Sequence, residues 1–215
     1  MEYCTSLFNR LSPEKKKRIL SVAADEFATL GYQSANINII AKKCDVSVGS
    51  LYKYFETKEN LFLSVCDLAA DALRSALSEV KRLDGGFIDK VRMILTLVQK
   101  HSRENPGMIH LYNEFTTQGN RELAGKLSYE LEQLTAPVYQ AMIEEAQKNG
   151  EIDPGLDPKM AAFCLDNLFM SLQFSYATEY YRERMKIYVD EEIFDDDERV
   201  LDGALAFIKN AFSAR

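Results

Sequence analysis

Side chains that can donate hydrogen bonds to phosphate oxygens are concentrated between residues 47 and 58. They are Ser47, Ser50, Tyr52, Lys53, Tyr54, Thr57 and Lys58. Lys58 falls in the first turn of a helix that Thr57 is suited to cap, where a cation opposes the helix dipole. A bound anion would remove this conflict, because the free N–H groups at a helix start also attract anions. The pattern predicts phosphate contacts by Lys58 and by the hydroxyl groups of Tyr52 and Tyr54.

Two short helices joined by a tight turn, over about residues 36–55, would position these donors. Ala41 supplies the small side chain needed where the helices cross, and Asp45 tolerates a positive φ in the turn. Val46 and Leu51 are the apolar positions that would lock the second helix onto the first. This spacing is typical of a helix-turn-helix, although many helical hairpins also satisfy it.

The second of these helices would present an outward side to a ligand. Ser47 is suited to cap it, and Asn36 is suited to cap the helix before it. Gly49 is unfavourable inside a helix, and its lack of a side chain would allow close approach of another backbone. The residues with side chains suited to base edges are Val48, Ser50 and Lys53. A lysine can donate to guanine, a serine is permissive, and a valine can touch a thymine methyl group.

The net charge of −7 is distributed unevenly along the chain. Residues 1–60 carry nine Lys and Arg against seven Asp and Glu, whereas the other 155 residues carry 17 against 26. Only the N-terminal quarter, with its balance of +2, is therefore suited to a polyanion.

Helical periodicity dominates the whole chain and predicts an all-α fold. Ile19, Ala23, Phe27 and Leu30 recur at helical spacing, and Gly31 then supplies a left-handed stop. About nine helices are predicted, over residues 13–30, 36–43, 47–55, 57–83, 87–104, 108–117, 121–149, 158–184 and 198–212.

The N-terminal part of the chain resembles the TetR family of bacterial repressors. The matching positions are Ile40-Ala41, Val46-Ser47, Gly49-Ser50-Leu51-Tyr52, Phe55, Lys58-Glu59 and Leu61, together with Ile19-Leu20, Ala23-Ala24, Phe27 and Gly31-Tyr32 in the first helix. The resemblance implies a three-helix DNA-binding domain over residues 13–73, with the helix-turn-helix at about 36–55. A larger helical domain for ligand binding and dimerisation would follow over residues 74–215.

Nine residues are expected to contact duplex DNA by this resemblance: Asn36, Ser47, Val48, Gly49, Ser50, Tyr52, Lys53, Tyr54 and Lys58. Two positions depart from the family pattern. The family usually has glycine where this chain has Asp45, and often threonine where it has Asn36. Aspartate visits the left-handed region more readily than most residues, and asparagine can cap a helix as threonine does, so we expect DNA binding to survive both departures, either of which could change the operator.

The last two predicted helices are the expected dimer interface. The helix from Pro158 is apolar around most of its circumference and must be buried on several sides. In proteins that the chain resembles, the last two helices pair with their twofold mates, which fits a palindromic operator. The residues expected at this interface are Leu168, Leu172, Leu201, Leu205 and Ile208. Burial inside a monomer is the alternative.

A small effector is expected to bind in the larger domain. Three polar residues lie in otherwise apolar helical stretches, namely His110, Asn113 and Asn167. The apolar residues expected to line the pocket with them are Met93, Leu97, Phe115, Met142 and Met170. Such walls favour an apolar or aromatic ligand that is relatively uncharged. A signal from it would reach the DNA through the long helix that begins at Thr57.

Other classes of function find little support in the sequence. The four cysteines are scattered without a Cys-x-x-Cys pair, which argues against a disulfide framework or a zinc site. We expect them to be small buried apolar residues, with metal ligation or redox sensing as the alternatives. No nucleophile–base constellation accompanies His101 and His110, so neither an enzyme nor a cofactor is predicted. Apolar runs such as Asn167–Ala177 are too short to span a bilayer, and Met1–Leu11 lacks the apolar core of a secretory signal. We therefore expect a cytoplasmic, ligand-responsive repressor, the alternative being a helical module whose helix-turn-helix docks a protein.

Overall fold

The computed structural model describes residues 3–118 and 121–213, without the side chains of residues 114–118, 121–124, 126–128 and 130. The described residues contain α-helices and no strand, which confirms the all-α prediction. The helices are α1 (Ser6–Asn9), α2 (Pro13–Ser34), α3 (Ile37–Cys44), α4 (Val48–Phe55), α5 (Lys58–Arg82), α6 (Phe87–Glu104), α7 (Pro106–Gln118), α8 (Arg121–Lys148), α9 (Pro158–Ala177), α10 (Glu179–Tyr188) and α11 (Asp197–Phe212). A short 3-10 helix covers Ile193–Asp195. None of the described helices is both long and apolar enough to cross a membrane.

The described part of the chain has eleven α-helices where the sequence predicts about nine. The four-residue helix α1 was missed because a single turn shows no periodicity, yet its Phe8 is fully buried. The predicted helix over 158–184 is divided into α9 and α10 at Thr178, whose backbone is extended (φ −122°, ψ 141°). Gly31 takes a positive φ of 73° inside α2, as the sequence predicts, but one more helical turn follows it.

The chain forms two compact units. The first contains the described residues of Met1–Ala72 and His110–Leu127, and the second those of Leu73–Ile109 and Ser128–Arg215. In the first unit, the Phe62 ring contacts the rings of Phe27 and Tyr32, with both centroid distances at 5.1 Å. This aromatic cluster joins the start of α5 to α2.

The core of the second unit is built from the apolar faces of α6, α8, α9 and α11. Its fully buried centre includes Val91, Ile143, Leu165 and Ile208. Each of these helices carries apolar residues three or four positions apart, so one face of each is buried. Burial of each such side chain contributes about 1.5–3 kcal/mol before conformational entropy is subtracted.

A partly buried polar network in the second unit ties the start of α11 and the segment before it to α6 and α9. The Tyr176 hydroxyl donates to the Asp197 carboxylate (2.9 Å) and accepts from the Gln99 amide (2.7 Å). Arg103 donates to the same carboxylate and to the carbonyl of Phe194, both at 2.7 Å. Burial and the neighbouring carboxylate raise the pKa of Tyr176, so its hydroxyl remains a donor at neutral pH.

Candidate nucleic-acid interface

The turn between α3 and α4 has the geometry that the sequence predicts. The Asn36 side chain caps α3 by accepting from the backbone N–H of Asn38 (2.9 Å). Asp45 ends the helix in the left-handed conformation, at φ 57° and ψ 47°. The N–H of Val46 then returns to the Ala41 carbonyl (3.1 Å). The aspartate at the usual glycine position therefore holds the turn that a helix-turn-helix requires.

Helix α4 presents a polar outer face and an apolar inner one. Ser47 caps it by accepting from the Ser50 N–H (3.0 Å), and the two hydroxyls are 2.8 Å apart. Leu51 and Phe55 are buried against the rest of the unit. The outer face exposes Gly49, Tyr52 and Lys53, with Val48 and Ser50 half-buried beside them. Tyr52 is 47% exposed, which leaves its hydroxyl accessible to a ligand.

Tyr54, whose hydroxyl is predicted to contact a phosphate, packs beside the outer face rather than on it. Its side chain is half-buried, and its ring centre lies 6.0 Å from that of Phe8 in α1. Thr5, just before α1, donates its backbone N–H to the Tyr54 carbonyl and its hydroxyl to the Lys53 carbonyl, both at 2.8 Å. The N-terminal segment therefore holds the end of α4. Sequence reasoning missed this, since the contacting residues are almost 50 positions apart and neither carries a local signal.

Lys58, at the first turn of α5, has partners within its own unit. Its ammonium group donates to the Gln33 carbonyl (3.0 Å) and lies 5.1 Å from the centre of the Tyr32 ring. Partial burial lowers the pKa of Lys58. These contacts stabilise a lysine at a helix start without any external anion. They correct the expectation from the sequence that Lys58 is favourable there only beside an anion. A phosphate contact by its remaining N–H donors stays a prediction.

Two side chains of α2 hold the end of α3, just before the turn. Glu26 is buried and forms an ion pair with Lys43 (2.9 Å), and Arg18 donates to the Lys43 carbonyl (3.1 Å). Because α4 follows within four residues, these contacts also fix where its outer face points. In the sequence, the signal for this ion pair is that Glu26 lies among the apolar positions of α2, between Ala23 and Phe27.

Gly49 has no steric reason within the protein to lack a side chain. A Cβ atom built there would meet only the Ser47 hydroxyl, at 3.9 Å, which is an ordinary contact distance. Any requirement for glycine at this exposed position would therefore come from a partner that approaches the helix.

The residues predicted to bind an effector are divided between the two units. His110 is exposed and Asn113 is half-buried in the first unit, while the side chain of Phe115 lies outside the described residues. In the second unit, Met93, Leu97 and Met142 pack in or against the core, and Met170 is half-buried. Asn167 is exposed, and its amide donates to the Phe163 carbonyl one turn earlier (2.7 Å). Within the second unit, the structure thus places Met93, Leu97 and Met142 at one core and leaves Asn167 exposed.

Four of the five residues predicted at a dimer interface are buried within one protomer. They are Leu172, Leu201, Leu205 and Ile208. Leu168 differs, since it is 38% exposed, and Phe163 on α9 and Phe207 on α11 are more exposed still, at 63% and 60%. Leu168 and Phe207 also line an open groove of about 530 Å³, formed mainly by α9, α10 and α11. The surface available to a second copy therefore consists of these neighbours rather than the buried set.

Comparison with known proteins agrees with this architecture. Residues 19–65 match the family described as bacterial regulatory proteins, tetR family. The HTH-type transcriptional regulator UidR of Escherichia coli K12 is 31% identical over 157 residues, which cover 71% of this chain and 76% of UidR.

Two solved structures share the fold. FadR from Bacillus subtilis, solved with stearoyl-CoA, superposes with a TM-score of 0.71 at 19% identity, over 89% of this chain and 96% of that one. AibR, solved with isovaleryl coenzyme A and operator DNA, gives 0.66 at 18% identity, over 90% and 97%. These two likenesses show the fold, and the match to the family model together with the identity to UidR shows that the chain belongs to the tetR family of bacterial regulatory proteins, which are DNA-binding transcriptional regulators and not enzymes.

Proposed function

We propose that this protein is a cytoplasmic transcriptional repressor that binds a palindromic operator as a homodimer and is released by a small effector. The outer face of α4 carries the proposal. It exposes Gly49, Tyr52 and Lys53 on a short helix whose start, end and preceding turn are each held by specific contacts. A rigid, polar helix of this size fits the major groove of duplex DNA.

The proposed DNA contacts follow from where the side chains lie. Lys53 and Ser50 would reach base edges, with Val48 against a thymine methyl group. Tyr52 would donate to a phosphate, and Gly49 would let the DNA backbone approach. The remaining members of the set are proposed to act at its edge, Asn36 and Ser47 at the helix starts that they cap, and Tyr54 and Lys58 through their hydroxyl and ammonium groups. Lys58 would add a phosphate to the partners it already has.

A homodimer is proposed because a helix of eight residues reads few base pairs. The exposed apolar residues Phe163, Leu168 and Phe207 lie on α9 and α11, the two helices from which the interface is expected. Apolar side chains of this size at the surface are typical of a face that is covered in the assembled protein. Two copies related by a twofold axis would then present two α4 helices to a palindrome.

An effector is proposed on two grounds, the ligands of two structural neighbours and the apolar side chains of the second unit. FadR and AibR were solved with acyl-coenzyme A molecules, so proteins of this fold accommodate ligands with an apolar part. In this chain, Met142 and the half-buried Met170 offer adaptable apolar walls. Helix α5 contributes residues to both units, and we propose that it transmits the effector's presence to α4.

The test is binding of the full chain to DNA from upstream of its own gene. Footprinting should reveal two protected half-sites whose centres are about 10–11 base pairs apart or a little more. A fragment of the same composition in shuffled order is the control, and equal affinity for both fragments at moderate salt would contradict the proposal. That result would favour the alternative, in which the helix-turn-helix docks a protein. The charge balance of +2 over residues 1–60 argues against this alternative.

A further inference from the structure

The last turn of α4 ends, as in every helix, with carbonyl groups that the helix itself cannot pair. The N–H of Glu56, next along the chain, donates to the Tyr52 carbonyl (2.8 Å). The two carbonyls that follow accept from Thr5 instead. Its hydroxyl donates to the Lys53 carbonyl and its backbone N–H to the Tyr54 carbonyl, both at 2.8 Å. Thr5 therefore caps the C-terminal end of α4 from a position 48 residues before Lys53.

The chain that follows α4 does not cap these two carbonyls, because it turns away at Glu56. This residue takes a positive φ of 63° with ψ −45°. The Thr57 N–H then donates back to the Phe55 carbonyl (2.6 Å), which closes a three-residue turn. Such a turn is rare and unfavourable for a residue other than glycine. It leads directly into α5, so the two carbonyls before it depend on donors from another part of the chain.

Thr5 does not use its hydroxyl for its own helix. It occupies the position before α1, where a threonine side chain commonly caps the helix that follows, yet it forms no such bond with α1. Phe8 holds the segment in place, since it is fully buried with its ring centre 4.6 Å from that of Phe55. Thr5 also lies outside residues 19–65, the part that matches the family. The cap is therefore a feature that the family match does not account for.

The two ends of α4 are held in different ways. Ser47 caps the start from the adjacent position, whereas the end depends on Thr5. The last turn carries Lys53, which is exposed on the outer face and is proposed to reach a base edge. A hydrogen bond weakens steeply as its angle departs from linearity, so base readout requires that the backbone of Lys53 be held in one place. Attraction to phosphate charge has no such requirement, because it is independent of sequence.

We propose that Thr5 is a positioning residue for DNA recognition, which fixes the last turn of α4 so that Lys53 can read its base. The inference rests on the proposed function and adds to it a segment that precedes the helix-turn-helix. Thr5 itself does not touch the DNA. Its loss should therefore reduce the preference for the operator over other sequences, while affinity for DNA in general is retained.

Fluorescence anisotropy of the full chain tests the inference with two duplexes, the fragment protected in footprinting and the same composition in shuffled order. Thr5→Val keeps the shape of the side chain and the backbone N–H but removes the hydroxyl donor. It should weaken operator binding about three- to tenfold and leave affinity for the shuffled duplex unchanged. Base preference should be relaxed at the position that Lys53→Ala also relaxes. Thr5→Ser, which keeps both donors, should bind like the wild type.

Thr29→Val is the matched control. The Thr29 hydroxyl donates to the Asp25 carbonyl within α2 (2.7 Å), so the variant removes the same kind of hydrogen bond from the same unit, away from α4. It should leave the ratio of operator to shuffled affinity unchanged. In a Lys53→Ala background, Thr5→Val should cost clearly less operator affinity than it does in the wild type, because its effect is exerted through Lys53.

Three outcomes would overturn the role of Thr5. They are an unchanged affinity ratio in Thr5→Val, an equal loss for both duplexes, and a loss that is undiminished in the Lys53→Ala background. The wild type provides the separate test of the proposed function. If it does not distinguish the two duplexes, the proposed function is wrong, whereas if it does and Thr5→Val distinguishes them equally well, only the role of Thr5 is wrong.

Discussion

The ammonium group of Lys58 lies 3.0 Å from the carbonyl oxygen of Gln33 and 5.1 Å from the centre of the Tyr32 ring. The first turn of α5 is thereby fastened to the last turn of α2. One N–H of the ammonium group is used by Gln33, which leaves two further donors for another partner. The same side chain can therefore stabilise the first unit and bind a phosphate.

Lys58→Ala should reveal both roles. Loss of the hydrogen bond and the cation–π contact should lower the free energy of unfolding by about 1 kcal/mol. Affinity should fall for all DNA sequences alike, and the slope of log Kobs against log salt should decrease by about one. Denaturant unfolding and fluorescence anisotropy at several salt concentrations measure these effects.

Lys53→Ala is the matched comparison, since Lys53 is exposed and belongs to the outer face of α4. It should leave stability unchanged and alter base preference at one position per half-site. Identical salt slopes for wild type and Lys58→Ala would remove Lys58 from the phosphate contacts.

Gly49→Ala should have opposite effects on stability and on DNA binding. The built Cβ meets no close neighbour in the protein, so replacing glycine in α4 should stabilise the fold by up to about 1 kcal/mol. If DNA approaches this position closely, the methyl group should weaken operator binding despite the gain in stability. A melting curve and an anisotropy titration of the same preparation decide between these effects. Unchanged DNA affinity would show that the backbone of α4 is not closely approached there.

The sequence was sufficient to predict features that depend on residues close together in the chain. The caps at Asn36 and Ser47 and the left-handed turn at Asp45 are all set by contacts within a few residues. The contact of Thr5 with the end of α4 was not predictable, because it depends on how distant segments pack. For the same reason, periodicity could identify the apolar residues of α11 but could not tell whether each of them faces the core of its own protomer or a second copy.

Leu205 and Phe207 illustrate that limit and provide a test of the dimer. Leu205 is buried and Phe207 is exposed on the same helix. Phe207→Glu should leave the monomer folded but shift sedimentation from dimer to monomer and abolish tight operator binding. Leu205→Glu should instead unfold the second unit, because it buries a charge in the core. Lys209→Glu, an exposed change on α11, is the control, and a Phe207→Glu protein that remains dimeric would exclude this face.

The ion pair between Glu26 and Lys43 should be important for stability as well as for the position of α4. Glu26 is buried and one of its oxygens has no hydrogen-bond partner in the described residues, so Lys43 is its main compensation. Lys43→Met should lower the free energy of unfolding by roughly 2–3 kcal/mol by leaving that carboxylate without a cation. Adding Glu26→Gln should recover part of the loss. Chemical denaturation of the two single variants and the double variant measures this coupling, which is absent if the losses are simply additive.

Asp166 should make the stability of the second unit depend on pH in a defined direction. Burial raises the pKa of its carboxyl from 3.8 to about 6 in the folded protein. Between these values the folded chain holds more protons than the unfolded chain, so this residue's contribution to stability falls as the pH rises from about 4 through 6. Asp166→Asn should therefore match wild type near pH 4 and be more stable at pH 8, by roughly 1–2 kcal/mol once solvent screening is allowed for. Thermal unfolding at both values measures the difference, with Glu144→Gln as the exposed control. A variant that is no more stable than wild type at pH 8 would mean that the Asp166 carboxylate is compensated in the free protein.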